Sequence, residues 1–506
     1  MSYLDSLMHA AKEPAPTDVA KEKASKKVLL DAYGEVKIYR EPDEPLLLYD
    51  VPVPRYRGDE KRLVEALLEI ALNVLPVQAS ALTAEEKRQQ YFQKILEIID
   101  GTPELKVPVN AKEFFAKAVV REMVGYGLID DLTRDDELEE IMVIGKQKPV
   151  YVYHRKYEMM RTNVVFYEDA DIRNLADRIA RAVNRRVDLQ SPLLDARLPD
   201  GTRVNATIPP ISLDGTTITL RKFKKDPLTA IDLVKYGTLN FEAAAFLWLA
   251  SDGIGAFPAN VVISGGTASG KTTSLNMLCA FVPNNERIIS IEDTAELNLP
   301  LQHWIRLEVR PPGLEGSGEV SMDHLVKNSI RMRPDRIIVG EIRGQEGYTM
   351  FAAMNTGHRG VMGTLHANSA KETLVRLTSP PINVPLSMLS SLNLIIMQNR
   401  IHDRRKGTIR RITEIAELVP SEELGMPSLQ ILYQWDPVQD VLSSTGLSSF
   451  YLQLLSRYTG LSSEDLLREV QVRAQVMEQL AKQGIRSLEG VSNVTQNYLA
   501  KTRLKV

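Results

Sequence analysis

The nine residues Gly265-Gly266-Thr267-Ala268-Ser269-Gly270-Lys271-Thr272-Thr273 constrain this chain more than any other segment, because of what flanks them. The short apolar run Val261 to Ser264 precedes them and the helical segment SLNMLCAF follows. A strand, a loop of the form G-x-x-x-x-G-K-T and a helix in series make a phosphate cradle. Its glycines let backbone N–H groups converge on phosphate oxygens, and the helix presents its positive end. Lys271 then bridges the outer phosphates, and the Thr272 hydroxyl is placed to ligate magnesium. The expected ligand is a nucleoside triphosphate held by residues 265–273.

Around this loop, strand-like runs alternate with helical ones: VVIS at Val261, IISI at Ile288, RIIV at Arg336 and VMGTLH at Val361. Such alternation predicts a mostly parallel sheet covered by helices, in an α/β unit. Ligands collect at the carboxyl ends of strands in open α/β sheets. Two of these strands run directly into acids, Glu292-Asp293-Thr294-Ala295-Glu296 and Gly340-Glu341, and a third ends at His366. Carboxylates there are placed to hold hydrated magnesium or orient a water, since phosphoryl transfer is mostly positioning and charge stabilisation. An imidazole there is placed to sense an outer phosphate.

At 506 residues the chain exceeds one compact core, and several linked domains are expected. Residues 1–35 read as a mobile arm with Lys21, Lys23, Lys26 and Lys27 close together. Helical spacing of Leu63, Leu67, Ile70, Ala71 and Val74 predicts a helical region over 36–110. An α+β domain is expected over 111–225, a hinge over 226–235 within and just after the Pro- and Asp-rich stretch KKDPLTAIDL (Lys224 to Leu233), the α/β core over 236–420 and a helical region over 421–506. Lys plus Arg total 62 against 65 Asp plus Glu, a balance unlike that of a nucleic-acid-coating protein. Cys279 is the one cysteine, so neither an internal disulfide nor a Cys-only zinc cluster can form within the chain. The N-terminus lacks a basic-then-apolar signal pattern, and no run of about 18 apolar residues offers a membrane span. Work at a membrane is expected to proceed by docking.

The segments GGTASGKTT, IEDTAEL, RPDRIIVGEIRG and TGHRGVMGTLHANSA occur in the order of the Walker A, Asp box, Walker B and His box of the secretion traffic ATPases. That family comprises type II and type IV secretion ATPases and the pilus and archaellum motors. GYGLIDDLTRDDELEEIMVIG and SPLLDARLPDGTRVNATIPP resemble its N-terminal domain, so the similarity spans about residues 112–412. The absent cysteine insert and the long N-terminal region make the chain look closest to the archaeal branch, the GspE-like and FlaI-like ATPases. The resemblance implies a RecA-like C-terminal domain. It makes Lys271 and Thr272 the phosphate and magnesium residues, Glu296 the water-activating glutamate, Glu341 the Walker B acid beside magnesium and His366 the His-box residue. Glu292 and Asp293 fall in the Asp box, and Arg203 and Arg221 match arginines that reach nucleotide from a neighbouring subunit. Gly340 stands where many P-loop ATPases carry an aspartate, as it does in this family.

What the resemblance implies overall is ATP hydrolysis with Mg2+ by a cytoplasmic homohexamer, peripheral at the inner face of the cell membrane. Its partner would be a polytopic membrane platform protein and, indirectly, a pilin, archaellin or secreted substrate; no nucleic acid is expected. A scaffold that binds nucleotide without turnover would lack the acids that this chain retains. A RecA-like translocase would call for aromatic-interleaved basic stretches that stack bases, which the sequence lacks.

Overall fold

The computed structural model describes residues 27–53, 59–74, 84–105, 107–223, 227–310, 312, 317–403, 406–420 and 427–503. Most of the expected N-terminal arm, residues 1–26, lies outside them. The chain divides into two compact units, Met1–Lys222 and Phe223–Val506.

The first unit carries a nine-stranded sheet. Its strands are β1 (Val28–Tyr33), β2 (Val36–Arg40), β3 (Leu47–Asp50), β4 (Leu138–Val143), β5 (Pro149–His154), β6 (Glu158–Val165), β7 (Leu193–Arg197), β8 (Arg203–Thr207) and β9 (Thr217–Arg221), ordered β1-β2-β3-β6-β5-β4-β9-β8-β7. Alternation in PVYVYH and EMMRTNVV buries every second residue of β5 and β6, as a half-covered sheet requires. Helix Asp169–Ala182 buries Ile172, Leu175, Ala176, Ile179 and Ala180, an apolar stripe of helical period. Helices Asp59–Val74, Ala84–Gly101 and Lys112–Val124 pack about their own core of Val64, Leu67, Ile95, Ile99, Phe115 and Val119.

The helical region expected over 36–110 is therefore helical only from Asp59, and the arm expected over 1–35 takes in the whole of β1. The hairpin of β1 and β2 turns at Gly34, whose φ of +53° suits glycine. Most of β1 is exposed, so its residues carry no alternation from which a strand could be read. Tyr33 and Tyr49 from this added layer both donate to the Asp135 carboxylate, which fixes it to the sheet.

The second unit holds β10 (Val261–Ser264), β11 (Ile288–Glu292), β12 (Trp304–Glu308), β13 (Arg336–Ile342), β14 (Met362–Leu365), β15 (Leu394–Asp403), β16 (Gly407–Val419), β17 (Ser428–Asp436) and β18 (Val441–Ser444), ordered β12-β11-β13-β14-β10-β15-β16-β17-β18. The first six are parallel and the last three join antiparallel. β10, β11 and β14 are buried along their whole length, as a parallel sheet covered on both faces demands. This is the RecA-like α/β arrangement. Two expected boundaries are corrected by it. Residues 421–506 are not all helical, because β17 and β18 extend the sheet before helices Phe450–Thr459, Ser463–Lys482 and Leu488–Arg503 begin. Nor is 226–235 a loop hinge, because Thr229 and Asp232 form a capping box on helix Ala230–Lys235, whose Ala230, Ile231 and Leu233 join the core of this unit.

Helix Ser463–Lys482 is anchored by an ion pair away from water: Arg473, 1% exposed, donates to Asp252, 0% exposed, and to Glu469, and stacks over Trp248. Removing one member of such a pair strands a buried charge, at a cost of about 3–5 kcal/mol. Arg473→Met is expected to lower unfolding stability by that amount in a urea titration, and Asp252→Leu in the same chain to recover a large part of it. Equal destabilisation by the single and double variants would mean that packing, not charge, is lost.

Candidate nucleotide site

Everything at this site hangs on β10 and the strands beside it. Ser264 pairs in parallel register with Leu365 of β14, so the loop from Gly265 and the turn carrying His366 leave the sheet side by side. On the next strand, the Gly340 carbonyl accepts from Thr364 Oγ1 at 2.6 Å, which sets Glu341 at the same edge. β11 lies beyond and delivers Glu292 and Asp293. The structure thus brings the acids, the histidine and the glycine loop to one end of four adjacent strands.

The loop's shape is determined by its glycines. Gly270 has φ +97° and starts helix Lys271–Cys279. A Cβ on Gly265 would lie 2.0 Å from the Gln398 carbonyl oxygen. Gln398, 1% exposed at a bulge in β15, also accepts from Ser274 Oγ at 2.5 Å. Arg410 of β16 donates from Nε to the Ala268 carbonyl at 2.9 Å. These two residues wall the loop from the far side. Neither was found in the sequence, because no local pattern links them to a loop so many residues upstream.

Lys271 Nζ donates to the carbonyls of Gly265 (3.0 Å) and Gly266 (2.9 Å). Burial pulls its pKa down while Glu341 and Glu296 push it up, so both acids lie within electrostatic range of the ammonium. Arg343, which sequence reasoning also passed over, joins Glu341 and Asp293 through its two terminal nitrogens. Glu292 turns away from this cluster: one of its oxygens accepts from the backbone N–H groups of Glu296 (2.7 Å) and Leu297 (3.0 Å). Burial pushes its carboxyl up to about 7. It ties down the loop that carries Glu296.

Whether such a site suits a magnesium-bound triphosphate can be asked of the residues themselves. A cradle that a Cβ would fill, a helix N-terminus behind it, a buried Ser269 hydroxyl without a partner and a Lys beside two carboxylates all suit that group. Thr267, Thr272 and Thr273 lie within or directly after this cradle.

Arg203 and Arg221 belong to the first unit. They face each other across β8 and β9, and Arg197 faces Arg203 across β7 and β8. Directly opposed residues share a face, so three arginines form one row. Glu140 stands next in the row, 3.7 Å from Arg221. Sequence reasoning missed Arg197, whose membership depends on strand register.

Taken together, the parallel sheet, the glycine loop and the acids at neighbouring strand ends make one candidate site at the strand ends of a RecA-like α/β unit. Residues 126–417 match the model of the family described as type II/IV secretion system protein, and the chain belongs to that family of secretion ATPases. An uncharacterized protein of Methanocaldococcus jannaschii is 34% identical over 74% of this chain and 75% of its own length. The conjugal transfer protein TrbB of Rhizobium radiobacter is 31% identical over 47% of this chain and 72% of its own. The type IV secretion system protein VirB11 of Bartonella quintana is 27% identical over 48% and 79%. Among the described residues no helix is long and apolar enough to cross a membrane.

Proposed function

We propose that the chain is a motor that hydrolyses ATP with Mg2+ as a homohexamer at the inner face of the cell membrane, and powers protein secretion or assembly of a pilus-like or archaellum filament through a polytopic membrane platform. The observation that carries the reading is the convergence of the Lys271 loop, Glu341 and His366 at adjacent strand ends, with Glu296 in electrostatic range of the Lys271 ammonium. The loop amides of residues 265–273 and the Lys271 ammonium bind the phosphates. Thr272 and Glu341 are the residues that would hold magnesium, which supplies positive charge to the outer phosphates when bound. Glu296, on its tethered loop, takes the proton of the attacking water, and His366 senses the outer phosphate. Arg203 and Arg221, from a neighbouring copy, stabilise charge that develops in transfer. Secretion-system membership supports the platform and the cargo only as a class.

Phosphate release from ATP by the full-length chain tests the reading. Mg2+-dependent turnover is expected, and Lys271→Ala is expected to lose it by about a hundredfold or more, the scale of deleting one preorganised charge donor. Turnover at the unaltered rate in that variant would remove the claim. Stimulation by single-stranded DNA in place of assembly would point to translocation.

A further inference from the structure

Arg343 joins two carboxylates, one of which, Glu341, the proposed chemistry needs elsewhere. Its Nη2 donates to Glu341 and its Nη1 lies 3.1 Å from Asp293 Oδ2. The backbone beneath it is pinned, because the buried Glu346 carboxylate accepts from the N–H groups of Arg343 (2.5 Å) and Gly344 (2.6 Å) at the start of helix Gln345–Asn355. The side chain is 67% exposed and, among the described residues, makes its hydrogen bonds with those two acids. A fixed base with an exposed guanidinium is the build of an arm that can change partners.

Magnitudes favour the change. Pairs as exposed as these contribute little to stability, since water screens them and ordering a long side chain costs entropy. A guanidinium brought against phosphate oxygens makes charge-assisted, bidentate bonds that the planar fork suits. Glu341, meanwhile, cannot serve magnesium or water fully while a guanidinium occupies it. Lys271 already feels the charges of both Glu341 and Arg343, so the guanidinium belongs to the same charged cluster as the loop ammonium.

We propose that Arg343 is a nucleotide-responsive clasp within its own subunit: it rests across Glu341 and Asp293 until a triphosphate enters, then moves to the outermost phosphate and releases Glu341. This rests on the ATPase reading above, and it adds a second cation that discriminates triphosphate from diphosphate. Asp293 becomes the holder of the resting state.

A double-variant cycle tests it with the full-length chain: wild type, Arg343→Ala, Asp293→Asn and both together, with affinities for fluorescent ATP and ADP analogues measured in EDTA. Arg343→Ala is expected to weaken ATP binding about tenfold or more, with ADP changing much less. Asp293→Asn is expected to tighten ATP binding about threefold or more when Arg343 is present, and to do nothing comparable when it is absent. Deleting a negative charge helps any anion, so an Asp293→Asn gain of the same size in both backgrounds overturns the clasp, as does an equal loss for ATP and ADP in Arg343→Ala. Arg343→Lys, which keeps the charge but not the fork, is expected to recover part of the ATP affinity. It replaces Arg343→Ala in the cycle should that variant lose its melting transition. A wild-type chain that binds no ATP defeats the nucleotide reading itself, whereas wild-type binding without coupling defeats the clasp alone.

Discussion

Glu296→Gln is expected to reduce ATP turnover by about a hundredfold or more while leaving ATP affinity within about threefold, because the amide keeps the shape of the side chain but cannot take a proton. Glu292 holds the loop through the backbone N–H of Glu296, and that anchor remains in the variant. Glu341→Gln is expected to lose turnover on the same scale while still binding ATP. Single-turnover hydrolysis beside a nucleotide-binding titration separates the two quantities. A parallel fall in affinity and turnover would make these residues supports of the loop rather than participants in the reaction.

How much of this was legible in the sequence depends on how local each signal is. The glycine loop could be read because strand, loop and helix are contiguous from Val261 to Cys279, and each agrees with the others. The acids of β11 and β13 could be read for the same reason, being attached to largely apolar runs. What escaped comes from pairing between distant segments. Gln398 and Arg410 reach the loop from β15 and β16, the latter contact spanning 142 positions, and nothing near either residue announces it. Arg197 needs the register of β7 against β8. β1 escapes because it is mostly exposed, and an exposed strand has no apolar face to alternate. The helix at Ala230 reads as hinge in the sequence because Pro227 and Asp226 dominate the composition there, although its Thr229 and Asp232 form a capping box.

The second large effect concerns the arginine row. β8 and β9 set Arg203 and Arg221 directly opposite one another, an arrangement that like charges disfavour unless anions or acids lie near. One such acid is Glu140, beside Arg221. A phosphate presented by another copy would be a second, and an arginine delivered in that way is worth about a thousandfold or more in turnover. Arg221→Ala is therefore expected to bind ATP normally and hydrolyse it that much more slowly. Because the deficit would lie in what one copy gives to the next, it is expected to be absent from single-chain properties such as melting temperature.

Mixing chains measures this most directly. Arg221→Ala and Lys271→Ala chains, each inactive alone, are combined at equal concentration, and phosphate release is followed as total protein is raised through the range where the wild type assembles. A shared-site ring predicts that wild-type specific activity climbs with concentration and that the mixture regains a measurable fraction of it, since some interfaces then pair an intact loop with an intact arginine. Activity independent of concentration, together with a mixture as inactive as its components, would contradict the account.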